Sequence, residues 1–87
     1  MRYKIGDKVK VKSREWYDEN KDEYGTVELS GFPDFVKDMA VFCGKKATIR
    51  ARISNTYGID IDNGPRFFWT DEMFEEQPKN ETNGTEN

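Results

Sequence analysis

Three stretches of this chain alternate hydrophobic and polar positions with a period of two, the spacing of half-buried strands. In IGDKVKVKS, from Ile5 to Ser13, Gly6 and Asp7 reverse the chain, and Val9 and Val11 then alternate with Lys8, Lys10 and Lys12. The valines are expected inward and the lysines outward, on a sheet with one solvated face. In KATIRARI, from Lys46 to Ile53, the inward set is Ala47, Ile49, Ala51 and Ile53, and the outward set is Thr48, Arg50 and Arg52. This is the strongest candidate for a central strand. Tyr57, Ile59 and Ile61 alternate with Gly58, Asp60 and Asp62, and Asn63-Gly64 is the pair that best tolerates a two-residue type I′ turn. Phe67, Phe68 and Trp69 form the returning strand, with Phe67 and Trp69 on one face and Arg66 and Phe68 on the other. Thr70 then caps a helical turn carrying Met73 and Phe74.

The remaining segments have weaker patterns. SREWYDENKDEYG, residues 13–25, reads as a long polar loop in which Trp16, Tyr17 and Tyr24 interrupt the charges. A loop of that length in so small a domain usually has a binding or lid role. Residues 25–29 read as a short second strand. Phe35, Met39 and Cys43 recur at helical spacing, with Phe32 and Val36 on the adjoining row. This predicts a short helix over 35–43 between Asp34 as N-cap and Gly44 as C′ residue, with a strand as the competing reading. Residues 77–87, QPKNETNGTEN, contain no hydrophobic side chain and are expected to be a disordered tail. Residues 1–76 then form one domain. Short strands and turns favour a mainly β fold, a small barrel of about five short antiparallel strands with one or two helical turns, over a parallel α/β fold.

Composition narrows this further. At 87 residues and 34% hydrophobic content the chain is near the lower limit for an unaided core. The 14% aromatic content compensates, because a buried ring removes roughly 150–250 Å² from water. One cysteine excludes an intramolecular disulfide, no signal-peptide pattern opens the chain, and no apolar run approaches a membrane span of about 20 residues. A soluble cytoplasmic protein is expected. The net charge is −3, but it is unevenly placed: residues 1–14 hold six bases against Asp7, and residues 15–23 hold five acids against Lys21. That alternation argues against one dominant basic face for duplex DNA.

The succession IGDKVKVK, then Trp16, then F…M…CGKKATI (Phe35, Met39 and 43–49), then YGIDIDNG…FWTDEMFE resembles small SH3-like barrel proteins of bacteriophages and bacterial mobile elements. The resemblance covers roughly residues 3–76 and is densest at 43–49 and 57–75. It implies an SH3-like barrel and a bacterial host cell, and it carries over no active site.

Catalytic chemistry is poorly supplied. The chain has no histidine, the side chain best suited to proton transfer near neutral pH, so a non-enzymatic role is expected. Cys43 near Lys45 and Lys46 is a candidate nucleophile, against the plainer reading of a small apolar residue packed with Phe35 and Met39. Asp60, Asp62 and Asn63 superficially match a calcium loop, but Gly64 stands at loop position 5, where an oxygen ligand is required, and no metal, cofactor or small-molecule substrate is expected. Trp16, Tyr17 and Phe68 are the partner-binding candidates, since ring-lined grooves beside the first long loop are how SH3-like barrels often hold extended peptides. Two alternatives remain open. Lys8, Lys10, Lys12, Lys45, Lys46, Arg50 and Arg52 form one nucleic-acid-binding stripe if the first and central strands are neighbours. Asp18, Glu19, Asp22 and Glu23 offer an acidic surface for inhibiting a basic host defence complex.

Overall fold

The computed structural model describes residues 2–31, 33–63 and 67–76. The expected tail at 77–87, the Gly64 position of the turn, Phe32 and Arg66 lie outside the described residues. Within them the chain is small and mainly β. β1 (Lys8–Lys10), β2 (Lys46–Ile53) and β3 (Thr56–Ile59) form an antiparallel sheet in the order β1-β2-β3, so the KATIRARI segment is its central strand. Lys8 faces Thr48, Val9 faces Ala47 and Lys10 faces Lys46; across the other edge of β2, Ile49 faces Ile59.

Single bridges extend both sides of this sheet. Tyr57 pairs with Trp69 beside β3, and Val11 pairs with Phe74 beyond β1. The β1 side is reinforced where Lys12 N–H donates to the Met73 carbonyl and Glu75 N–H to the Lys10 carbonyl. Segments 69 and 74 are joined only by a 3₁₀ turn at Asp71–Met73, so one short stretch covers both flanks. A third bridge, Val27 to Phe35, stands where the short strand at 25–29 was expected.

The core is built from rings. Trp69 is fully buried, stacked on Phe74 at 6.1 Å between centroids and met edge-on by Phe35 and Phe42 at 6.0 and 5.6 Å. Val9, Val11, Ile49, Ile59 and Met73 fill the space around it. No helix among the described residues is long and apolar enough to cross a membrane.

Several expectations are corrected. Residues 14–20 form a helix, α1 (Arg14–Asn20), not a loop. Its first turn is capped by Ser13, whose Oγ accepts the Trp16 N–H at 3.0 Å, and Arg14–Asp18 and Asp18–Lys21 contacts brace its exposed face. The helix expected over 35–43 is a 3₁₀ helix at Lys37–Phe42. Asp34 is not its cap; its carboxylate accepts the Leu29 N–H instead. Ile53 is 54% exposed rather than inward, because the β2–β3 register shifts between Ile49 and Ala51. A bulge adds one residue and reverses the side-chain alternation beyond it. Asp62 is buried rather than solvated: its Oδ2 accepts the Phe67 N–H at 3.0 Å and the Trp69 indole N–H at 3.2 Å.

Candidate functional site

α1 separates the two partner-binding candidates at its start. Tyr17 faces the core and is 2% exposed, with its hydroxyl donating to the Gly25 carbonyl at 2.7 Å. Arg14 and Lys21 cover the ring at 5.5 and 5.3 Å. Tyr17 is therefore a support for the turn at 22–25 and leaves the list of contact residues. Trp16 is half-buried, its ring edge-on to Phe35 at 5.2 Å, with the Lys12 ammonium 5.7 Å from its centroid.

Trp16 opens onto a groove of about 330 Å³ between α1 and the last described segment. Leu29 and Phe74 join it as the apolar lining, Arg2 and Lys12 supply cations, and Asp71, Glu72 and Glu76 supply acids. The walls are tied to one another. Glu75 Oε2 accepts the Ser13 N–H at 3.0 Å, which fixes the start of α1 to the chain after the 3₁₀ turn. Glu72 accepts hydrogen bonds from the Ser30 N–H and hydroxyl. Arg2 and Glu76 meet at 3.3 Å across the rim. The groove can seat an apolar side chain and pair charges of either sign beside it.

A second, larger groove of about 460 Å³ lies on the other side of α1, between its end, the 22–25 turn and the first 3₁₀ helix. Tyr24, 77% exposed, and Val41 stand on it. Tyr24 is not among the contact residues expected from the sequence. The signal was available in the Asp-x-x-Gly turn: Asp22 Oδ1 accepts the Tyr24 and Thr26 N–H groups, which puts Tyr24 at an exposed tip.

Phe68 is 57% exposed while Phe67 and Trp69 on either side pack inward, and it does not line the Trp16 groove. The acidic candidates are partly committed. Desolvation works against ionisation of Asp18, but Arg14 and Lys21 together outweigh it and lower its pKa; Asp22 is the turn cap just described. Glu19 and Glu23 remain exposed.

The basic candidates divide by register. Lys8, Lys10, Lys46 and Arg50 share the outer face of β1 and β2, whereas Arg52 is the partner of inward-facing Tyr57 and Lys12 belongs to the Trp16 groove. Lys45 precedes β2, giving its carbonyl to the Val11 N–H. Cys43 is half-buried, and burial raises its thiol pKa more than Arg14 lowers it, so it is a weak nucleophile; Lys45 and Lys46 do not activate it. Asp60 Oδ1 accepts the Thr48 N–H and Asp62 faces the indole, so these two carboxylates do not converge on a common cation position. No family model matches the chain, no curated protein matches its sequence, and no solved structure matches its fold.

Proposed function

We propose that the chain is a small non-enzymatic interaction module with an SH3-like barrel, which holds an extended stretch of a partner protein in the Trp16 groove. The barrel reading is supported by the way residues 69–75 flank both β3 and β1, with Trp69 stacked on Phe74 where the flanks meet. The observation that carries the function is the groove itself: an apolar lining of Trp16, Leu29 and Phe74 with cations and carboxylates within one opening. A partly buried tryptophan in such a setting supplies contact area at low entropic cost, and the mixed rim selects a peptide with an apolar residue beside charged ones. The resemblance of 43–49 and 57–75 to phage and mobile-element barrels supports a role in the cytoplasm of a bacterial host.

Capture from bacterial lysate tests this, with wild type compared against Trp16→Ala and Tyr24→Ala. The proposal expects specifically retained proteins that are lost with Trp16→Ala and kept with Tyr24→Ala. Retention unchanged by Trp16→Ala refutes the groove, and loss confined to Tyr24→Ala moves the site to the larger groove across α1.

A further inference from the structure

The outer face of the β1–β2 pair carries more positive charge than the fold can use. Lys10 and Lys46 are direct cross-strand partners, an arrangement that is destabilising for like charges. Lys8 faces Thr48, which makes it the diagonal neighbour of both Lys46 and Arg50, at about 7–8 Å in an antiparallel pair. All four side chains are exposed, and none forms an ion pair with a described carboxylate. Arg2, Arg14 and Lys21, elsewhere in the chain, each have such a partner. Three acids border the patch, and each carboxylate accepts a backbone N–H: Asp7 Oδ2 from Lys4, Asp60 Oδ1 from Thr48, and Glu75 Oε2 from Ser13.

The same face continues across β3 to an exposed ring. Ala51 is the partner of Gly58, and the Tyr57–Trp69 bridge sets Phe68 beside Gly58 on the next row. Phe68 points away from the core, opposite Phe67 and Trp69, so it lies on the outer face with Arg50. Gly58 places no side chain between them. A row of cations with no ion-pair partner among the described residues, beside an exposed aromatic ring, is the combination that tracks a phosphate backbone and stacks a base.

We propose that this face, Lys8, Lys10, Lys46, Arg50 and Phe68, binds single-stranded nucleic acid. The reading is independent of the Trp16 groove. A single strand is favoured over a duplex on two grounds. Four cations on one small face span few of the closely spaced phosphates of a duplex, and the net charge of −3 opposes binding elsewhere on the chain. The described residues also offer no helix for a major groove, since α1 has seven residues and carries Glu15, Asp18 and Glu19. A single strand exposes the base faces that Phe68 can stack, which an acidic peptide lacks. The acids of 15–23 confine binding to this one face by repelling the backbone elsewhere.

The test is fluorescence anisotropy of the full chain with a labelled 15-nucleotide oligo(dT), titrated over a range of salt concentrations. Neutralising four phosphates with a single strand predicts a log–log salt slope of about −3. Lys10→Gln with Lys46→Gln should bring the slope to roughly −1.4. Phe68→Ala should weaken binding about tenfold with the slope unchanged. Tyr24→Ser is the control and should leave affinity unaltered, and matching thermal melts establish that each variant is folded. No binding at 20 mM salt, or affinities indifferent to the lysine pair, overturns the proposal. A duplex bound as tightly overturns the single-strand assignment, and equal competition by polyglutamate reduces the patch to general polyanion attraction and overturns it too.

Discussion

Replacing Trp69 by phenylalanine isolates the contact that anchors the core. Phenylalanine keeps a ring over Phe74 and between Phe35 and Phe42, but it lacks the indole N–H that donates to buried Asp62 at 3.2 Å. Withdrawing a donor from a buried acceptor costs about 1–3 kcal/mol, more when that acceptor is charged. Loss of the second ring's carbons adds about 1 kcal/mol of apolar burial. The expected loss is roughly 2–4 kcal/mol, set against a total stability of about 4–13 kcal/mol for a chain of this length. With a urea m-value near the low end for small proteins, about 1 kcal/mol/M, the midpoint falls by roughly 2–4 M. Trp69→Ala should cost about 3–5 kcal/mol for lost burial and cavity together, a loss comparable to the lower end of that total. Phe68→Ala should cost on the order of 1 kcal/mol or less, since that ring is half in solvent. Urea melts followed by far-ultraviolet circular dichroism measure all three. Equal losses for Phe68→Ala and Trp69→Ala refute the face assignment. A Trp69→Phe loss below about 0.5 kcal/mol refutes the claim that Asp62 depends on the indole.

Two further outcomes follow from buried polar groups and backbone shape. Burial first, and then the hydrogen bond donated to Asp71, raise the Tyr57 phenol pKa. Its contribution is therefore intact below about pH 10, the unfolded value, and is lost as pH climbs through the raised folded value, at up to about 1.4 kcal/mol per pH unit. Chemical denaturation from pH 8 to 11 should show that decline in wild type and a shallower one in Tyr57→Phe; parallel curves count against it. Gly25 has φ +83°, and a Cβ there would sit 3.0 Å from the Tyr17 hydroxyl and 3.1 Å from Lys37 Cβ. Gly25→Ala should cost about 1–3 kcal/mol, a drop of at least about 5 °C in Tm, and an unchanged melt would show that the turn relaxes freely.

Legibility in the sequence tracked how local the determining interaction is. β1 and the first half of β2 were readable because Val9, Ala47 and Ile49 alternate with lysine, threonine and arginine, and burial follows that alternation as far as Arg50. α1 was missed because Trp16 and Tyr17 are adjacent and give no helical period. The signs were the Ser13 cap and the spacing of Arg14, Asp18 and Lys21. Ile53 was misplaced because a bulge is a property of two paired strands and leaves no mark in the one that contains it. Asp62 read as outward beside Ile61, since the indole that holds it arrives seven residues later. Of the candidate site, Trp16, expected as a contact residue, lines a groove, and the condition on the basic stripe, that the first and central strands are neighbours, is met. The burial of Tyr17 was not legible, because whether a helical ring faces in or out depends on the turn that receives its hydroxyl.

The placement of residues 69–75 against both flanks of the sheet has a consequence for how the protein is made. While a nascent chain is shorter than about 75 residues, β1 lacks the partner at Phe74 and β3 lacks the partner at Trp69, and the two gaps close together. Strands with unpaired edges are templates for neighbouring chains. On a ribosome the 68 residues before Trp69 therefore emerge with no finished border. Its native state becomes available only when the last dozen described residues leave the exit tunnel, so translational arrest before Trp69 yields a product prone to association rather than a smaller working domain.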